Sequence, residues 1–216
     1  MYSDGIVEVL RAVTSSLKIP TITILILLIA ITIVMLGSII AEYFTERRHL
    51  KVKIPELIAD MQGKIGKELD EVIVGSGLLK RQKKALHTLI EMEYLPEGER
   101  EALARQLLFD EQNRFEKITR ITDITARIAP MFGLMGTLIP LGPGLIALGQ
   151  GDTKTLSSSL LIAFDTTVAG LISAAVSYVI SMLRRKWYEE YVVGLETVME
   201  CLLEEQSKGG AKVANQ

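Results

Sequence analysis

Residues 129–149 read APMFGLMGTLIPLGPGLIALG. The stretch carries no charge and holds three prolines, Pro130, Pro140 and Pro143, together with one hydroxyl, Thr137. Its length and apolarity fit a membrane span. Proline inside a helix removes a backbone hydrogen bond and kinks the chain, so Pro140 frees the carbonyl of Gly136 and Pro143 that of Ile139. Such carbonyls are not tolerated against lipid but are tolerated inside protein or beside a wet cavity. Two readings stand open: a kinked, glycine-rich helix that widens the outer half of a pore, or a kink satisfied by neighbouring helices.

The rest of the chain supports a membrane setting. Hydrophobic residues make up 49% of 216 and mean hydropathy is +0.31, yet 23% of residues are charged. These figures coexist because the two classes are segregated. Residues 19–41 carry no charge over about 23 positions, enough to cross a hydrocarbon core of ~30 Å. Residues 128–149 and 156–183 form two more spans, the last interrupted only by Asp165. The predicted architecture is an all-α membrane protein with three transmembrane helices.

Lys and Arg in the flanks set the expected orientation. ERRHLKVK follows span one and RRKW follows span three, against Arg11 and Lys18 before span one and Lys154 between spans two and three. Residues 1–18 are therefore expected outside, 42–127 as a helical cytoplasmic domain, 150–155 as an external loop and 184–206 as a cytoplasmic helix. The apolar run of span one is too long for a cleavable signal peptide. The implied location is the cell (inner) membrane, with the C-terminus in the cytoplasm.

Leu57, Met61, Ile65 and Leu69 recur every fourth residue, the stripe of one amphipathic helix. Residues 78–95 make a second, and Pro96 and Gly98 punctuate a turn. From Glu99 the pattern of Leu103, Leu107, Phe115, Ile118, Ile121 and Ile128 runs without a break into span two, predicting one long helix bent at Pro130. Span three continues the same way through Tyr188, Tyr191, Leu195, Val198 and Leu202, the seam of a packing helix. The polar, Gly-rich tail 207–216 reads as disordered.

No nucleotide-binding loop, dinucleotide fingerprint or metalloprotease motif is present, so no enzyme activity and no cofactor are expected. One cysteine, Cys201, excludes an internal disulfide framework. His49 and His87 lie in charged segments and read as solvated, with no metal site expected. The basic run LLKRQKKALH reads as a solvated helix face and not as a nucleic-acid surface; the expected solvent for the spans is the lipid bilayer.

The polar residues inside the spans carry the chemistry. Thr137 lies roughly 13 Å deep from one side, and Thr166 and Thr167 roughly 15 Å deep from the other. These hydroxyls therefore reach one level near the bilayer centre, as an ion path requires, although each can also bond back to its own helix. Asp165 is costly at such depth unless paired, hydrated or protonated. It lies about 200° around the helix from Thr167, so it is expected to face a neighbouring helix or subunit. It either braces that contact or relays protons.

APMFGLMGTL, followed by AFDTTVAGLISAA in the third span, resembles the proton-channel family that includes MotA, TolQ and ExbB. The resemblance covers residues 125–190 and extends further through topology. It implies a homopentamer around a pore that holds two copies of a single-transmembrane-helix partner of the MotB, TolR or ExbD kind, whose aspartate takes up and releases the ion. It also implies a stator-like motor driven by ion flow. Thr137 in GLMGTL and Thr167 in TVAGL fall on the family's pore threonines. Ile162 stands where TolQ- and ExbB-like members carry Glu, and Val176 stands where they carry a proline. The moving ion is either H⁺ or Na⁺. A non-conducting membrane scaffold is the competing function, and a secondary transporter is disfavoured by the lack of an inverted repeat.

Overall fold

The computed structural model describes residues 2–47, 54–64 and 66–214. Every regular element among them is helical: α1 Tyr2–Ser16, α2 Lys18–Glu42, a π-helical turn Tyr43–Arg47, α3 Ile54–Met61, α4 Lys67–Gly75, α5 Lys80–Glu91, α6 Glu97–Gly149 and α7 Thr153–Ala214. Three helical stretches are long and apolar enough to cross a membrane: Ala12–Thr45, and parts of α6 and α7. At 1.5 Å per residue α6 and α7 are roughly 80 and 90 Å long, well beyond one bilayer core.

The chain divides into two compact units. The first, Met1–Ile39 with Thr119–Leu183, contains the three apolar stretches. α2 buries Thr21, Leu25, Leu28, Thr32, Met35 and Ile39, a 4-3-4-3-4 stripe, and leaves Ile26, Leu27, Ile33 and Val34 exposed. Leu28 packs with Ala129 of α6 and Ala174 of α7. A predominantly apolar helix with a single buried stripe suits lipid on its remaining faces, because lipid is as apolar as the side chains it meets.

The second unit, Ile40–Ile118 with Arg184–Gln216, has a conventional hydrophobic core. Leu57, Met61, Leu69, Ile73, Leu86 and Leu89 from α3 to α5 close on Leu195, Val198 and Leu202 of α7. The 3-4 seam read from the sequence is therefore the buried face of α7. Phe115 stacks on Tyr188 with ring centroids 4.3 Å apart, and Arg184 Nε donates to Glu42 at 3.2 Å. His87 is exposed near Asp70 and Glu91.

Two expectations need correction. The stripe from Leu57 to Leu69 belongs to two helices, because Gly63 (φ 75°) and Gly66 (φ 59°) turn the chain between α3 and α4. Left-handed backbone is cheap only for glycine, and here it overrides the periodicity. Ile65 and His49 lie outside the described residues. The tail does not leave the helix at residue 207: α7 continues to Ala214, since extending an existing helix avoids the cost of nucleation. The N-terminal segment forms a helix, α1, with Ile6, Val9 and Val13 exposed along its length, and Leu17 is exposed just beyond it.

Candidate functional site

α6 passes through Pro130, Pro140 and Pro143 as one continuous helix. Each proline removes a single bond of the ladder, and the turns on either side hold the helix together. Pro140 is buried, Pro130 half-buried and Pro143 exposed.

The first unit holds its two long helices together through glycine. A Cβ on Gly170 would lie 2.7 Å from the Ala129 carbonyl oxygen and 2.8 Å from Gly133 Cα; one on Gly136 would lie 2.6 Å from Thr166 Cβ. Nearer the turn, a Cβ on Gly144 would lie 3.1 Å from Ser159 Cβ. Small residues thus let the backbones of α6 and α7 touch, as close helix packing in lipid requires. The contact brings residues 133–136 of α6 level with 166–170 of α7.

The three sequence-derived threonines meet this crossing differently. Thr137 is half-buried, and its hydroxyl donates to the Leu134 carbonyl of its own helix at 2.6 Å. Thr167 is half-buried and points at the Gly133 carbonyl of α6 at 3.5 Å, one turn before Thr137. Thr166 is buried against Gly136, and its hydroxyl bonds back to Ile162 and Ala163 of α7 at 3.0 and 2.9 Å. Thr137 and Thr167 therefore lie at one level as partly exposed residues, whereas Thr166 is a packing contact inside the subunit.

Asp165 lies on another face. It is exposed, and no hydrogen bond or ion pair reaches it among the described residues. Leu161, Phe164, Val168 and Ile172 around it are also exposed. A carboxyl on an apolar, open helix face in a membrane span is costly unless it is paired, hydrated or protonated.

Sequence reading missed a second set of hydroxyls. Ser173, Ser177 and Ser181 lie buried along one edge of α7, and Thr119, Thr122 and Thr125 along α6. Ser177 Oγ is 3.3 Å from Thr32 Oγ1 of α2, and Ser181 Oγ bonds Asp123. The four-residue spacing of the serines and three-residue spacing of the threonines were visible signals. In lipid such hydroxyls act as interhelical glue.

At the turn between α6 and α7, Gly151 has φ 81° and Asp152 caps α7. Asp152 accepts from the Thr155 backbone N–H at 3.0 Å and from the Thr155 hydroxyl. The hydroxyl first, then the backbone N–H, hold its carboxyl below the usual value of 3.8. This is the geometry of an aspartate N-cap.

The sequence profile of the MotA/TolQ/ExbB proton channel family matches residues 73–197, more than half of the chain. The chain belongs to that family. The matched segment begins at the end of α4 and takes in α5, α6 and most of α7. It contains both threonines of the crossing, the glycines that build it and Asp165, and it reaches well upstream of the residues that suggested the resemblance. No curated protein matches the chain. Family and apolar helices together make it a membrane protein of a proton channel family.

Proposed function

We propose that this MotA/TolQ/ExbB family chain is the pore-forming, stator-like subunit of an ion-driven motor in the cell membrane. Five copies surround a pore, and two copies of a single-span partner of the MotB, TolR or ExbD kind occupy it. Ion flow, of H⁺ or Na⁺, does mechanical work through that partner. The N-terminus is outside, and the unit built from α3 to α5 is cytoplasmic. The observation that supports this reading best is the pair Thr137 and Thr167. They stand at one level on two helices joined by backbone contact, and neither residue is fully covered within its own chain. A rigid support of that kind keeps the hydroxyls aligned while an ion exchanges water for protein ligands. Pro140 and Pro143 lie in the outer half of span two, where the carbonyls they free line a widened path.

The test is ion flux into vesicles containing this chain and its partner. Thr137→Val and Thr167→Val keep side-chain shape and remove one hydroxyl each. Assembly is expected to persist while flux falls about tenfold, the effect of losing one hydrogen bond worth ~1.4 kcal/mol to the passing ion. Unchanged flux in both variants would remove these hydroxyls from the ion path, and absence of flux from the unaltered chain with its partner would favour a non-conducting scaffold.

A further inference from the structure

The second unit carries a groove of about 490 Å³, walled by the start of α6 and the end of α7. Its rim holds Glu97, Glu101, Glu196, Glu200 and Glu204, and Leu108 and Met199 contribute to an apolar floor. Among the described residues that line the groove the cations are Arg100 and Arg105, and Arg105 already faces Glu101 at 3.5 Å. Arg100 is 8% exposed and donates Nη1–H to Gln206 Oε1 at 3.0 Å, while its Nε–H has no acceptor among the described residues. Leaving a buried donor unsatisfied is costly, so the groove suits an occupant with cations for the rim and an acceptor for Arg100.

The chain itself carries such a surface. α5 buries Gln82, Ala85, Leu86 and Leu89 and exposes Lys80, Arg81 and Lys84, with Glu91 exposed in its last turn. No residue lining the groove comes from α3, α4 or α5, so the basic ridge does not fill the groove of its own copy. Gln82 Nε2 donates to the Tyr191 carbonyl at 2.9 Å. α5 ends just before α6, whose first turns reach Gln206, so α5 runs alongside α7 in the same direction. At 1.5 Å per residue Lys84 then stands about 5 Å from the level of Glu196, within the span of a lysine side chain. Glu91 lies further along, toward the end that holds Arg100.

We propose that the groove receives α5 of a neighbouring copy, with Lys84 against Glu196 and Glu200 and Glu91 offered to Arg100. Two different faces meet, so the contact is heterologous and propagates from copy to copy until the ring closes. This rests on the ring arrangement proposed above and adds which cytoplasmic surfaces join it.

The test uses the full chain in membranes with Cys201→Ser as background. Chains bearing Lys84→Cys and chains bearing Glu196→Cys are co-expressed with tags of different size, then treated with a short bis-maleimide. A mixed cross-linked dimer is expected, and a chain with both cysteines should give a ladder up to ring size. Lys84→Glu should make the oligomer fall apart at lower salt, and Glu196→Lys in the same chain should restore it. Should charge reversal alone prevent folding, the cysteine pair still decides. A native mass spectrum showing an intact ring without intermolecular cross-links would overturn this contact and leave the ring standing. A double-cysteine chain that closes only on itself, or a groove cross-linked to a different protein, would also overturn it. A monomer that never assembles would remove both proposals.

Discussion

Gly136 and Thr166 face each other so closely that a Cβ on the glycine would stand 2.6 Å from that of the threonine. This contact and its neighbour at Gly170 set the separation of α6 and α7, and with it the level of Thr137 and Thr167. Gly170→Ala is expected to destabilise the first unit by about 1–3 kcal/mol, because the added methyl meets backbone that cannot turn aside. Gly142→Ala, which meets nothing within 4 Å, serves as the control and should be neutral or slightly stabilising. Thermal unfolding in detergent measures both. Equal midpoints for the two variants would contradict the close crossing.

Asp165 is expected to brace a contact between copies as a hydrogen-bonding group. Asp165→Asn should then preserve the oligomer and its flux, whereas Asp165→Leu should weaken the oligomer in a native mass spectrum. An Asn variant that assembles normally but conducts nothing would instead assign the carboxyl to proton relay, since an amide does not titrate there.

The turn between α6 and α7 should be sensitive to acid. The folded state lowers the Asp152 carboxyl below 3.8. A depressed carboxyl contributes stability that is present above the unfolded value and is lost as pH falls through the folded one. Hydrogen exchange at Thr155 is therefore expected to accelerate below pH 3.8, after allowance for the intrinsic pH dependence. Asp152→Asn, which can still cap the helix, should flatten that change. An identical pH profile in the variant would assign the protection to another group.

Gly63 has φ 75°, and its N–H donates to Glu205 of α7 at 3.0 Å. Gly63→Ala meets no side chain, so its cost is left-handed strain alone, about 1–2 kcal/mol. A denaturant melt of the variant measures it. A loss much larger than this would mean that the turn is also packed.

Much of the fold was legible because both of its solvents leave a linear record. Uncharged runs long enough to span a bilayer announced the three apolar helices, and the seam from Tyr188 to Leu202 announced the core of the second unit. The failures have one cause each. Periodicity cannot register a chain reversal that preserves it, so Gly63 and Gly66 split a helix whose apolar residues still reach one core. Composition at the tail did not register that a helix already formed extends cheaply into residues that would not start one.

Residue types and depth singled out Thr137, Thr167 and Asp165 as candidates, since hydroxyls and a carboxyl are conspicuous in an apolar run. The same argument grouped Thr166 with Thr167. Only the tertiary structure separated them, because adjacent residues on a helix point about 100° apart and the packing of α6 decides which of them is covered. The sequence by itself determined which segments meet lipid, since that follows from the transfer energy of each run. The tertiary structure decided which hydroxyls remain open, since that depends on where two glycine-lined backbones touch.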